Sequence, residues 1–166
     1  RLRSFVMRIG NVILVAAATL ISGALLYLGT GLHPVWWLVW LAPIPILAIT
    51  LRVSGWSAFL LAVLSWLLGE LNQWNYLTRV LGLPPLIVTL FFLIPALFFG
   101  LGVLFARSFL RRGSILLAAL AFPAYWVTYE YLTEVTSPHS TFGNLGYSQM
   151  NCLPLIQITS ITGIWS

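Results

Sequence analysis

Residues 85–106 read PLIVTLFFLIPALFFGLGVLFA, twenty-two consecutive positions without a charged side chain. A helix of roughly 20 apolar residues crosses the roughly 30 Å hydrocarbon layer of a bilayer, so this run predicts a transmembrane helix. Its surroundings agree. Of the 166 residues, 60% are hydrophobic and only 7% charged, with a mean hydropathy of +0.99, whereas soluble domains carry about a quarter charged residues. The composition excludes a soluble globular protein and predicts an all-α, polytopic transmembrane helix bundle.

Working outward, four more spans are expected by apolar length and by the breaks between them, at 9–28, 35–51, 55–71 and 114–132. A partial sixth occupies 153–166, and both ends of the chain read as cut. The second span carries Pro43 and Pro45 and is expected to be kinked and packed on its neighbours, since each proline removes a backbone donor. Pro95 and Pro123 predict bends in the fourth and fifth. The apolar segment at 9–28 exceeds a usual signal-peptide core and leads into further spans, which favours a retained helix.

The net charge of +5 comes from eight arginines against three glutamates. The arginines stand singly or in small groups between apolar runs, with no stripe of the kind that tracks phosphates, so nucleic acid is excluded as a partner. They set orientation instead. Arg1, Arg3, Arg8, Arg52, Arg107, Arg111 and Arg112 fall on one side and Arg79 alone on the other. The positive-inside rule then places the N-terminus in the cytoplasm and the polar segment 133–151 outside it. Trp36, Trp37, Trp40, Trp74 and Tyr76 fall near the outer ends of spans, where amphipathic rings favour the headgroup layer.

Polar chemistry is sparse. Glu70 reads as an interfacial acid offset by Arg79 or water, or as part of a polar site. Glu130 lies four residues after Trp126, on the same helical face near the outer end of the fifth span, and suits either a structural hydrogen bond or an outward-facing site. Glu134 reads as solvated. In the segment 133–151, TEVTSPHSTFGNLGYSQMN, Ser137-Pro138 begins a turn, Gly143 and Gly146 permit unusual backbone conformations, and Asn144 can bond its own backbone. His139 has no second histidine or nearby cysteine to make a metal site, and no metal or other cofactor is expected. The lone Cys152 allows no intrachain disulfide. It lacks a neighbouring base and reads as a small apolar residue at a helix start rather than a nucleophile.

Three stretches together resemble a known family: WVTYEYL at 126–132, NLGYSQ at 144–149 and LPLIQITSITG at 153–163. They look like the N-terminal membrane part of apolipoprotein N-acyltransferase, and HPVWWLVWLAPIP at 33–45 resembles its second span. The resemblance implies a bacterial inner-membrane enzyme that moves an acyl chain from a phospholipid donor to the N-terminal amine of a lipoprotein acceptor. It also implies a nitrilase-like domain downstream carrying a Glu-Lys-Cys triad, so that 1–166 is a membrane domain with no catalytic residue of its own, inactive alone. Trp126, Glu130, Asn144, Tyr147 and Gln149 are the expected substrate-binding rim. The chain departs from the family's usual pattern at Thr133, where Arg is usual, and at Ser140 to Gly143, where Gly-Phe-Pro-Trp is usual. Other readings are a membrane-anchored nitrilase-like amidase or acyltransferase of different specificity, a small transporter or channel lined by Glu70 and Glu130, and an assembly partner. Oligomeric state is not legible.

Overall fold

A computed structural model describes residues 2–136 and 143–162, all built from helices and turns. In chain order these are α1 (Leu2–Gly29), α2 (Leu38–Leu41), α3 (Pro43–Ile49) with a 3-10 turn at Thr50–Arg52, and α4 (Gly55–Glu70). A π-helical turn at Tyr76–Val80 leads to α5 (Pro85–Leu110) and α6 (Ile115–Thr136). A 3-10 helix at Leu145–Gln149 precedes α7 (Leu153–Thr162). Each segment expected as a span is helical over most of its described residues. Those at Gly10–Gly29, Pro85–Leu110 and Ile115–Thr136 are long and apolar enough to cross a membrane, while Leu38–Arg52 and Gly55–Glu70 are shorter.

The prolines act unequally. Pro43 separates α2 from α3 and starts the latter, where its missing N–H costs nothing. By contrast α5 and α6 continue as helix through Pro95 and Pro123, because an interior proline removes one ladder bond that packed neighbours can offset. The polar residues at 133–136 do not end α6, contrary to the loop boundary expected at Thr133. The Thr133 hydroxyl donates to the Tyr129 carbonyl at 2.9 Å and that of Thr136 to the Leu132 carbonyl at 2.6 Å, so both are satisfied within the helix. Glu134 also departs from expectation. It is half-buried, and its Oε2 has no hydrogen-bond partner among the described residues.

The bundle is sequential. Helix α4 packs against both α1 and α5, and α6 packs against α5, while α2 and α3 lie along α1. Small residues permit the close approaches. At Gly100 a Cβ would stand 2.7 Å from the Phe59 ring, and at Gly69 a Cβ would collide with Leu26, the small-residue packing typical of membrane helices. Buried hydroxyls tie the helices further: Ser22 donates to the Ala42 carbonyl at 2.5 Å and Ser65 to the Thr19 carbonyl at 3.2 Å.

Each end of the bundle is pinned by one polar side chain. The Arg107 guanidinium donates to the carbonyls of Thr50, Val53 and Ser54, fastening the foot of α5 to the α3–α4 connection. At the opposite end Asn72 Nδ2 donates to the carbonyls of Tyr27 (2.7 Å) and Thr30 (3.0 Å). Arg52 and Arg107 therefore share one end of the molecule.

Candidate functional site

The site is built around three indoles and one carboxylate. On α6, Trp126 and Glu130 are one turn apart, and the Trp126 indole N–H donates to Glu130 Oε1 at 2.9 Å. The same oxygen accepts the Leu145 backbone N–H at 2.7 Å. One carboxylate oxygen thus satisfies a buried indole and draws the segment after Gly143 back over the bundle. Gly143 takes φ +86°, a left-handed conformation that glycine adopts without steric cost. Asn144 is buried, and its Oδ1 accepts the Gly146 N–H at 2.7 Å, capping the 3-10 helix locally as its residue type suggested.

The far end of that 3-10 helix is hooked to the beginning of α2. Gln149 Oε1 accepts the Trp40 indole N–H at 3.1 Å, and its Nε2 donates to the Trp36 carbonyl, also at 3.1 Å. Asn151 Nδ2 donates to the Pro34 carbonyl at 3.2 Å. Residues 144–151 therefore bridge α6 to the α1–α2 connection by side-chain hydrogen bonds at both ends.

Beneath the bridge lies a cavity of about 520 Å³. Leu26 of α1, Trp66 of α4 and Phe99 of α5, all buried, line its inner side. One wall is Trp40, Pro43, Ile44 and Leu47, the other Ala119, Phe122, Pro123, Trp126, Val127 and Glu130, and the roof is Leu145, Gly146 and Gln149. The rings are mutually packed, with Trp66 and Trp126 centroids 4.6 Å apart and Phe99 meeting Trp66 at 5.2 Å. Apolar lining of this kind, with few polar groups at defined points, is the usual construction of a small-molecule or lipid site.

Of the five residues expected at the rim, Trp126, Glu130 and Gln149 line this cavity. Asn144 stands behind it as a cap, and Tyr147, 43% exposed, is not among the lining residues. Glu70 is buried on α4, bonded by Gln73 Nε2 at 3.1 Å, and forms no ion pair with Arg79 among the described residues. It does not share the cavity with Glu130. Cys152 is a free, half-buried thiol whose carbonyl accepts from the first turn of α7. Ser137, Pro138 and His139 lie outside the described residues. Trp40 and Trp66 were not expected in the site. Trp40 reads as an interfacial anchor, but Trp66 had a legible signal, since an indole inside an apolar helix rather than at its end needs an acceptor that lipid does not supply.

The profile of the apolipoprotein N-acyltransferase N-terminal domain matches residues 22–166. The chain belongs to this family. It is 31% identical over 157 residues to the apolipoprotein N-acyltransferase of Coxiella burnetii, covering 88% of this chain and 32% of that protein. It is 30% identical over 158 residues to the corresponding protein of Geobacter metallireducens, covering 87% and 29% respectively. The chain spans about a third of the length of these curated relatives. No solved structure matches it. Within the family's N-terminal domain, the bridge and the cavity lie in the matched region, and the apolar helices together with the relatives mark a bacterial membrane protein.

Proposed function

We propose that this chain is the N-terminal membrane domain of an enzyme that transfers an acyl chain from a phospholipid to the N-terminal amine of a diacylglyceryl-cysteine lipoprotein. The observation that carries the reading is the cavity under residues 144–151. It is an apolar recess closed at one end by a carboxylate and an amide, in a chain that belongs to the acyltransferase family. Trp126, Glu130 and Gln149 form the substrate-facing rim, with Asn144 holding the roof in shape and Tyr147 on its outer face. No catalytic residue is assigned to residues 1–166, and the nucleophile belongs to a nitrilase-like domain downstream.

The domain sits in the inner membrane with five spans and a partial sixth. The end bearing Arg52 and Arg107 is cytoplasmic, and the end bearing the bridge is periplasmic. A helix of 16 residues such as α4 is about 24 Å long, so α2–α3 and α4 cross in the company of the longer helices. The test is twofold. The reading frame after Ser166 should encode two further spans and a nitrilase-like domain, and a frame that closes without one overturns the proposal. Liposomes holding the chain should show no ion or solute flux that Glu70→Gln or Glu130→Gln lowers, whereas such flux would assign it to the transporters.

A further inference from the structure

The spacing that joins Trp126 to Glu130 occurs a second time. On α4 the sequence WLLGE runs from Trp66 to Glu70, as WVTYE runs from Trp126 to Glu130 on α6, and in each the acid follows the indole by one helical turn on the same face. The two indoles pack on each other, with ring centroids 4.6 Å apart. Both acids also act electrostatically on Tyr129 of α6, so both carboxylates lie near the place where α4 and α6 meet.

The two pairs differ in one bond. On α6 the indole N–H donates to Glu130 Oε1 at 2.9 Å. On α4 the N–H of Trp66, a residue 3% exposed, has no acceptor among the described residues. Glu70, itself buried, instead accepts Gln73 Nε2 on its Oε2 at 3.1 Å. A buried donor without a partner is costly, and the carboxylate one turn away has acceptor capacity to spare. Its side-chain torsions have several staggered wells, so it reaches the preceding turn by a change of rotamer. The turn that Gln73 belongs to also carries Asn72, whose Nδ2 ties α4 to the carbonyls of Tyr27 and Thr30 at the end of α1.

We propose that Glu70 is a latch shared between two donors, Gln73 and the Trp66 indole. In the state described above it holds Gln73 and leaves the Trp66 N–H unpaired. In the other it takes the Trp66 N–H, as Glu130 takes that of Trp126, and releases Gln73. Trp66 lines the cavity, so the cavity wall carries an unpaired indole donor in the first state and none in the second. The turn at 70–73 loses its side-chain bond as that donor is withdrawn, which couples the cavity wall to the joint between α4 and α1. The latch is internal to the bundle, and it goes beyond the acyltransferase reading without resting on it.

The full-length protein, its tryptophans isotopically labelled at the indole nitrogen, is reconstituted in nanodiscs and its indole N–H resonances are recorded, with Trp66→Phe assigning the Trp66 signal. A hydrogen-bonded indole N–H resonates downfield of a free one, so this signal reports the latch. Gln73→Ala removes the competing donor and should raise the ratio of bonded to free Trp66 N–H about threefold to tenfold, the worth of one hydrogen bond. Glu70→Leu should leave the free signal alone, and Glu70→Gln, which keeps a side-chain carbonyl, should restore part of the bonded one. Glu70→Gln is isosteric and Gln73 is only half-buried, so these two variants decide the question even where Glu70→Leu does not fold. A Trp66 signal that Gln73→Ala and Glu70→Gln both leave in place overturns the proposal. So does one that follows Glu130→Gln and ignores Glu70→Gln, which gives the indole to the other acid.

Discussion

Glu130 is the point at which a single substitution should undo the roof of the cavity. Its Oε1 accepts two donors, the Trp126 indole at 2.9 Å and the Leu145 amide at 2.7 Å. Hydrogen bonds to a charged acceptor contribute about 1.5–3 kcal/mol, and a buried donor left without one costs about 1–3 kcal/mol. In Glu130→Ala both donors lose their partner, and the end of the bridge nearest α6 is released. The Leu145 amide reports this directly, because its exchange with solvent requires that bond to open. A loss of about 1.5–3 kcal/mol corresponds to roughly 10-fold to 100-fold faster exchange at about 1.4 kcal/mol per decade. Glu130→Gln retains an amide oxygen at the same place and loses only the charge assistance, so its effect should be smaller, about threefold to tenfold. Hydrogen exchange of the peptide spanning 143–149 in detergent or nanodiscs measures both. Unchanged Leu145 exchange in Glu130→Ala would refute the reasoning, since it would mean that the bridge is held by something other than this carboxylate.

Other substitutions probe the frame. Gly100→Ala places a methyl 2.7 Å from the Phe59 ring and should destabilise the α4–α5 contact by about 1–3 kcal/mol, read as a lowered thermal transition in detergent. Ser22→Ala removes the bond to the Ala42 carbonyl and should cost about 0.6–1.7 kcal/mol, the range for interhelical hydrogen bonds in membranes, measured by the same transition. Arg107→Ala strips three carbonyls of their donor and should speed amide exchange in 50–57 while leaving 143–149 unaffected, because the two ends of the bundle share no hydrogen bonds. Gln149→Ala should release the Trp40 indole and change its fluorescence environment without altering the helix content seen by circular dichroism.

Apolar run length located every long helix, because burial in lipid leaves the backbone no alternative to internal hydrogen bonding. Pro43 divides a helix, as expected, because it stands at a helix start, while Pro95 and Pro123 sit inside continuous helix. The boundary at Thr133 was misplaced because threonine hydroxyls that bond the preceding turn are invisible in composition. For the site, the four-residue spacing of Trp126 and Glu130 announced their hydrogen bond. What spacing does not carry is the pairing of Gln149 with Trp40, separated by 109 residues, or the placement of Trp66 beneath both. Those depend on which helices become neighbours.

The central claim is that this fold serves phospholipid-to-amine acyl transfer. It is tested most directly with the full-length protein in proteoliposomes whose phospholipid carries a deuterated acyl chain, offered a diacylglyceryl-cysteine peptide with a free N-terminus. The account predicts that the deuterated chain appears on the peptide amine by mass spectrometry. A peptide amine that stays free while the protein remains folded and lipid-bound would contradict it.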